Sequence, residues 1–202
     1  KFINCTSGSR GVLTWIGNNG LIVNNTFIDC GKSSGSTNYG GVQAIQIQNG
    51  KNNQIIGCNF TNCTGTLSGG AIRLQGDSGN VDNITIANCN FENCSAQESA
   101  GAIYMNSPVR NVKLENNTFT NNHAPNYGAL DIADAATISS FVNNNFTNNG
   151  ATAPDGNGGA ARLHAEINVI NSTFIENSCN GSGGAIYASG IINVLGSDFE
   201  NN

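Results

Sequence analysis

One aromatic residue recurs along the whole chain and constrains its fold more than any other feature. Eight phenylalanines are spaced at intervals of roughly 25 to 33 residues, and each opens a similar tetrapeptide. They are Phe2, Phe27, Phe60, Phe91, Phe119, Phe146, Phe174 and Phe199, in the tetrapeptides FINC, FIDC, FTNC, FENC, FTNN, FTNN, FIEN and FENN. A unit this short cannot bury its own apolar face, so stacked copies must cover one another. The period therefore predicts a solenoid.

A glycine marks a second position in each unit and precedes a predicted strand. These glycines are Gly11, Gly41, Gly70, Gly101, Gly128, Gly159 and Gly184. Residues two and four positions after the glycine are mostly apolar, and they share one face because side chains alternate along a strand. The residue three positions after it falls on the opposite face, which predicts a solvent-facing column of Thr14, Ala44, Arg73, Tyr104, Asp131, Arg162 and Tyr187.

A third pattern precedes each phenylalanine. Five residues before it the chain has Ile22, Ile55, Ile86, Leu114, Phe141, Val169 or Val194, which predicts a second inward-facing strand. Two residues further on, only Asn and Gly occur, at Asn24, Gly57, Asn88, Asn116, Asn143, Asn171 and Gly196. Asn and Gly are the residues that best tolerate a left-handed backbone, so this column predicts a sharp turn.

These columns together predict an all-β fold, a right-handed parallel β-helix of about seven coils. The high Asn content and 26 glycines disfavour α-helix throughout. We expect residues 1–202 to form a single β-helix segment with coils beginning near residues 11, 41, 70, 101, 128, 159 and 184. The pattern is already under way at residue 1 and still running at residue 202, which predicts a fragment of a longer protein.

The low positive charge and the short apolar runs argue against a nucleic-acid partner and against a membrane span. Charged residues make up 10% of the chain, and the formal net charge is −5. A chain without a basic face does not neutralise phosphates, so we expect no nucleic-acid partner. No apolar run approaches the roughly 18 residues that a membrane helix requires, so this segment is not expected to span a membrane.

The repeats resemble a known family. The GGA-I and F-x-x-N motifs are similar to those of chlamydial polymorphic outer-membrane proteins and of adhesin-like surface proteins from methanogenic archaea. Both motifs occur in the family's order between Phe91 and Tyr104, and again between Phe174 and Tyr187. The resemblance implies an extracellular β-helical passenger displayed at the cell surface and used for adhesion. Its implied partner is a glycan or protein on a host or neighbouring cell.

The cysteines follow the repeat. Cys5, Cys30, Cys63 and Cys94 share one column, Cys58 and Cys89 share another, and Cys179 lies outside both. We expect stacked, buried thiols, because neighbouring coils rarely offer the geometry of a disulfide. Disulfide pairing and metal binding remain the alternatives. An odd number of cysteines without a C-x-x-C motif argues against zinc, so we expect neither a metal nor a cofactor.

The solvent-facing column is the candidate binding strip. Arg73, Tyr104, Asp131, Arg162 and Tyr187 are of residue types common at recognition surfaces. Asp131 and Arg162 lie one coil apart, which favours an ion pair over catalysis. His123 and His164 have no partner identifiable from the sequence, and we interpret both as ordinary surface residues. Long links at residues 31–40 and 150–158 are further candidates for function.

Three functions are compatible with these patterns. We expect a non-catalytic segment of an adhesin-like protein that mediates attachment, with no catalytic residues. The first alternative is a polysaccharide lyase or glycoside hydrolase of the pectin-lyase-like β-helix class, which would need carboxylates that converge on one cleft. The second alternative is a purely structural stalk, which would bind neither glycan nor protein.

Overall fold

The computed structural model describes residues 1–31, 41, 43–76, 81–106 and 108–202, and in these the fold is entirely β. All strand pairs are parallel, and each links one coil to the next. Two sheets contain seven strands and one contains eight, so the predicted β-helix of about seven coils is confirmed. Within the described residues no helix is long and apolar enough to cross a membrane.

Three long sheets form the sides of the solenoid. Sheet I carries the phenylalanines and contains β1 (Phe2–Ile3), β4 (Thr26–Ile28), β7 (Asn59–Thr61), β12 (Asn90–Glu92), β17 (Thr118–Thr120), β21 (Asn145–Thr147), β25 (Thr173–Ile175) and β29 (Asp198–Glu200). Sheet II follows the glycines and contains β2 (Leu13–Trp15), β5 (Ile45–Gln48), β9 (Ile72–Gln75), β14 (Ile103–Met105), β19 (Leu130–Ile132), β23 (Ala161–Leu163) and β27 (Ile186–Ala188). Sheet III contains β3 (Leu21–Val23), β6 (Gln54–Ile56), β11 (Thr85–Ala87), β16 (Val112–Glu115), β20 (Ile138–Val142), β24 (Ile167–Ile170) and β28 (Ile192–Leu195).

Two shorter sheets complete the coils. Sheet IV joins sheet I to the following glycine and contains β8 (Thr64–Gly65), β13 (Ser95–Ala96), β18 (His123–Ala124), β22 (Gly150–Ala151) and β26 (Ser178–Cys179). Sheet V consists of β10 (Val81–Asp82) and β15 (Val109–Arg110). The chain thus turns several times in every coil, and equivalent turns must lie above one another for the strands of successive coils to pair.

The phenylalanine column runs through the core as one continuous stack. Neighbouring rings from Phe2 to Phe199 have centroids 4.5 to 4.9 Å apart. Phe27, Phe60, Phe91, Phe119, Phe146 and Phe174 have no exposed surface. This spacing equals the separation of hydrogen-bonded strands, so backbone pairing and ring stacking impose the same repeat.

The predicted left-handed column is confirmed. Its members, from Asn24 to Gly196, have φ between 47° and 63°. Two further left-handed rows were not anticipated, and nearly all of their members are Asn: Asn4, Asp29, Asn62, Asn93, Asn121, Asn148, Glu176 and Asn201 in one, and Asn19, Asn52, Asn83 and Asn111 in the other. Another left-handed row, immediately before sheet II, contains no asparagine and consists of Gly69, Ala100, Tyr127, Gly158 and Gly183. Several corners of the coil therefore depend on a backbone conformation that most residues resist.

Buried asparagines form hydrogen-bonded ladders beside the phenylalanine stack. Asn122 has no exposed surface, and its Oδ1 accepts a hydrogen bond from the Cys94 backbone N–H at 2.9 Å. Its Nδ2 donates to the Phe91 carbonyl at 3.0 Å and to Asn149 Oδ1 at 3.0 Å. Asn149 repeats these contacts with Phe119 and Asn177. Each side chain thereby satisfies polar groups that the core would otherwise leave unpaired.

The cysteines occupy the same two columns in the earlier coils, as predicted. Cys30, Cys58, Cys63, Cys89 and Cys94 are buried, and all seven cysteines are free thiols. Cys179 pairs with Ala151 in sheet IV and lies outside both columns. The expectation of stacked, unbridged thiols is therefore confirmed.

The second coil is out of step with the glycine pattern. Ile45 pairs with Ile72 and Gln46 pairs with Arg73, so Gln46 occupies the column that we assigned to Ala44. Ala44 itself is fully buried. The assignment of Ala44 was wrong because this coil places its strand two residues later relative to Gly41, and a shift of two keeps the alternation of inward and outward residues unchanged.

The left-handed column generates a test at Asn88, whose φ is 55°. We expect Asn88→Gly to be tolerated, because Gly57 occupies the same column in the preceding coil. Asn88→Ala should destabilise the protein by ~1 kcal/mol, because a Cβ without a compensating polar group resists this region. Thermal or urea unfolding of both variants measures the difference. Equal stabilities of the two variants would contradict the turn assignment.

Candidate functional site

The candidate strip runs along sheet II and takes one residue from each coil. Strand register places Thr14, Gln46, Arg73, Tyr104, Asp131, Arg162 and Tyr187 in one row. The five predicted residues of this row therefore lie together. Their description as solvent-facing was wrong in part, because Arg73 is 8% exposed and Asp131 only 1% exposed. Tyr104, Arg162 and Tyr187 are half-buried.

The burial has a local cause in the turns that precede the strands. The Ser99 hydroxyl donates a short hydrogen bond to Asp131 Oδ2 from the neighbouring coil. The Ser68 carbonyl accepts a hydrogen bond from Arg73 Nη1 at 3.4 Å. These turn residues therefore shield polar atoms of Asp131 and Arg73 from solvent.

An aromatic and charged cluster forms the centre of the strip. Arg162 Nε lies 2.6 Å from Asp131 Oδ1, which confirms the predicted ion pair. The Arg162 guanidinium carbon also lies 4.4 Å above the centre of the Tyr127 ring. The Tyr127 and Tyr187 rings face each other with centroids 6.2 Å apart. One arginine is thus fixed by a carboxylate and an aromatic face.

A second arginine, three coils away from Arg162, also lies over an aromatic ring. The Arg73 guanidinium carbon lies 4.7 Å above the Tyr104 ring, and Arg73 Nε donates to Gln75 Oε1 at 3.2 Å. Gln46 Nε2 donates to the same oxygen at 3.0 Å. Sequence reasoning missed Gln46 because of the shifted register. It missed Tyr127 because this residue belongs to the turn before Gly128 and not to the strand.

Burial governs the ionisation of the cluster. Desolvation raises the pKa of the Asp131 carboxyl, although Arg162 and Ser99 act in the opposite direction. Burial also raises the pKa of Tyr104, and the nearby Asp131 charge adds to the effect. Burial alone would lower the pKa of Arg162, but the charge and hydrogen bond of Asp131 together with Tyr127 outweigh burial and raise that pKa. The Asp131 carboxylate therefore interacts mainly with the Arg162 guanidinium.

His164 is not an isolated surface residue, contrary to the sequence interpretation. Its Nε2 lies 3.2 Å from Asp134 Oδ1, and its Nδ1 makes a short hydrogen bond with Ser189. The three residues come from three successive coils, which is why spacing along the chain concealed them. A hydrolytic triad has a buried Asp on Nδ1 and the Ser on Nε2. Here the two nitrogens are exchanged, and the Asp134 side chain is 73% exposed.

A cleft lies beside this histidine. It has a volume of about 410 Å³ and is lined by Asp134, Thr137, His164, Glu166 and neighbouring small residues. An adjoining cleft of about 420 Å³ follows β20 and includes Ser139 and Asn168. The register between β16 and β20 shifts at Val112 and Lys113, and such irregularities re-aim outward side chains.

Of the other candidate features named from the sequence, His123 and the link at 150–158 make few contacts that would build a site. His123 is exposed in β18. In the link at 150–158, Asn157 Oδ1 accepts a hydrogen bond from the Ser182 backbone N–H at 2.7 Å. The link at 31–40 lies outside the described residues, apart from Gly31. Across the described ranges, no group of three or more His, Cys, Asp or Glu side chains is arranged to hold a metal ion.

Comparison with models of known protein families, with curated proteins and with solved structures found no match to this chain.

The Asp131–Arg162 pair generates a test of stability against pH. Arg162→Ala should destabilise the protein by about 2 to 3 kcal/mol at neutral pH, because it leaves a buried carboxylate without its partner. The Asp131 pKa is already raised in the folded state, and loss of Arg162 should raise it further. Ionisation of Asp131 then costs stability as the pH rises. The loss of unfolding free energy in Arg162→Ala should therefore be smaller at acidic pH, where the carboxyl is protonated, than at pH 7.

Urea unfolding at both pH values measures this effect, with Arg110→Ala as the matched control. Arg110 is exposed in β15, so its removal should change stability by less than about 0.5 kcal/mol. An Arg162→Ala loss that is equal at both pH values would show that Asp131 is not the group that Arg162 stabilises.

Proposed function

We propose that this chain is a non-catalytic β-helical segment of an adhesin-like, extracellular cell-surface protein. The strip on sheet II mediates attachment to a glycan or protein on a host or neighbouring cell. The observation that supports this most directly is the cluster of Tyr127, Arg162 and Tyr187, in which the Arg162 guanidinium lies 4.4 Å from a ring centre. Polar and aromatic groups held rigid before binding lose little conformational entropy when a ligand arrives.

The chemistry of the strip suits a polar, extended ligand. Tyrosine presents an apolar ring together with a hydroxyl, which suits both sugars and polypeptides. Half-buried Arg162 supplies a fixed donor group, and its charge is partly balanced by Asp131. Successive strip residues are separated by one coil, so a ligand that follows the solenoid axis meets several of them.

Weak contacts of this kind gain strength by repetition. A single half-buried tyrosine offers limited area, and we expect each strip to bind weakly. Several copies displayed on one surface would engage several ligands at once, and linkage then raises the overall affinity without any new contact. Attachment through clustered display fits a repetitive solenoid better than tight binding by one copy.

The enzyme alternative draws support from a specific place. The cleft near His164 is lined by two carboxylates, Asp134 and Glu166, which come from neighbouring coils. Carboxylates on adjacent coils are what a β-helical polysaccharide lyase or glycoside hydrolase would require. A structural stalk, in contrast, would use neither the strip nor the cleft.

Binding by clustered protein tests the proposal. We expect clustered chain to bind immobilised cell-surface glycans or intact cells. Tyr187→Ala should weaken binding about tenfold, equivalent to ~1.4 kcal/mol. Tyr187→Phe should retain most of the binding, since it keeps the ring. Lys113→Ala is the matched control, because Lys113 is exposed on sheet III.

Reducing-sugar and unsaturated-product assays run in parallel. Product release that Asp134→Asn or Glu166→Gln abolishes would overturn the proposal in favour of the enzyme. Absence of both binding and turnover would leave the stalk. Binding that Tyr187→Ala and Lys113→Ala weaken equally would place the contact surface elsewhere on the solenoid.

A further inference from the structure

The two buried polar columns change composition along the solenoid. One column runs through Cys58, Cys89, Asn117 and Asn144, and the other runs through Cys5, Cys30, Cys63, Cys94, Asn122 and Asn149. The strand register on both sides of these positions places each residue directly above the next. The fold therefore accepts either Cys or Asn at the same buried corner.

Hydrogen bonding does not explain the cysteines, because asparagine satisfies these corners better. The Cys89 backbone N–H donates to Asn117 Oδ1 at 3.0 Å. One coil earlier, the Cys58 backbone N–H has only Cys89 Sγ as its side-chain acceptor, at 3.5 Å. Sulfur is a weak acceptor, and cysteine cannot donate twice as the asparagine amide does. What cysteine adds at these positions is its thiol chemistry.

The thiols are arranged as vertical pairs. Strand register stacks Cys58 on Cys89 and Cys63 on Cys94, and each thiol donates a hydrogen bond to a backbone carbonyl of the preceding coil. Both pairs flank the stretch of the phenylalanine stack in which the Phe60 and Phe91 rings lie 4.9 Å apart. All four cysteines are at most 2% exposed. Each pair thus presents two sulfurs, one from each of two coils, in a site that excludes water.

We propose that the Cys58–Cys89 pair and the Cys63–Cys94 pair each bind one soft, monovalent, two-coordinate metal ion of the Cu(I) class. A linear ion bridging two thiolates needs sulfurs about 4.6 Å apart, if each metal–sulfur bond is about 2.3 Å. Adjacent parallel strands are about 4.7 to 4.9 Å apart, so in-register stacking supplies this separation. Thiolate ligands select soft ions over Mg²⁺ or Ca²⁺, and two ligands suffice for a linear site.

Replacement of the two thiol protons by one metal ion requires no oxidant. Each pair begins as two thiols, and binding of one monovalent ion releases both S–H protons to water. The product is a bis-thiolate with a net charge of −1. The Cys58 backbone N–H already points at Cys89 Sγ and stabilises this charge. The metal keeps its oxidation state, and no disulfide forms.

Metal stoichiometry on the whole chain tests the proposal. The protein is incubated with Ag(I), a redox-inert probe, and separately with Cu(I) under anaerobic conditions, until the bound amount is constant. Native mass spectrometry after desalting counts the ions. Because binding at buried thiols requires local opening of the coil, the incubation has to be followed over time.

Paired substitutions provide matched variants that preserve the fold. Cys58→Asn with Cys89→Asn extends a ladder that already runs through Asn117 and Asn144, and Cys63→Asn with Cys94→Asn extends the other. Both double variants should keep or raise the melting temperature. Cys179→Ser is the control, because Cys179 lies outside both columns and is only partly buried.

We expect the unaltered chain to bind at least two ions, each double variant to bind one fewer, and Cys179→Ser to bind the same number as the unaltered chain. X-ray absorption of the unaltered, Ag(I)-loaded chain should show two sulfur ligands for each ion. No tightly bound ion, equal stoichiometry in the double variants and the unaltered chain, or loss of binding in Cys179→Ser would each overturn the proposal.

Discussion

In-register parallel pairing is the constraint on which the rest of this structure depends. Each strand lies directly above its equivalent in the next coil, so every inward side chain contacts a copy of its own position. Phenylalanine suits such a position, because its ring packs against an identical ring 4.5 to 4.9 Å away in the next coil. Like charges would repel, so the buried polar corners hold neutral groups. Asparagine fits because its amide donates to one coil and accepts from another.

The corners explain why asparagine is so frequent outside the core as well. Left-handed residues recur at several corners of the coil, and asparagine tolerates this conformation better than most other residues with a side chain. Glycine would serve the backbone, but it offers no side chain to bond between coils. Exposed asparagines form such bonds, with Asn52 donating to Asn19 at 2.9 Å and Asn148 to Asn121 at 2.7 Å. The composition is therefore a consequence of the corner geometry.

Features that repeat in every coil were predictable, and features that depend on contact between different positions were not. The phenylalanine stack, the Asn and Gly turn before it and the cysteine columns follow from spacing, because the register repeats them. The Ala44 assignment was wrong because alternation along a strand cannot distinguish Ala44 from Gln46, two residues later, and Gln46 is the one that pairs with Arg73. The burial of Asp131 depends on Ser99, a turn residue of the neighbouring coil. The His164 cluster joins three coils at positions that carry no repeated motif.

The same constraint limits what a surface of this kind can do. A β-helix face offers about one side chain per coil, so its groups form a line and do not converge on a point. The strip's carboxylate is already paired with Arg162, so its accessible groups are the half-buried Tyr104, Arg162 and Tyr187. Such a line is complementary to an extended ligand, whereas catalysis needs several groups aimed at one reacting atom. Convergence arises only where the regular pairing is broken, and the cleft with Asp134 and Glu166 lies beside β20, where the register shifts. The proposed binding strip therefore follows the regular repeat, whereas the cleft near His164 lies where the repeat is broken.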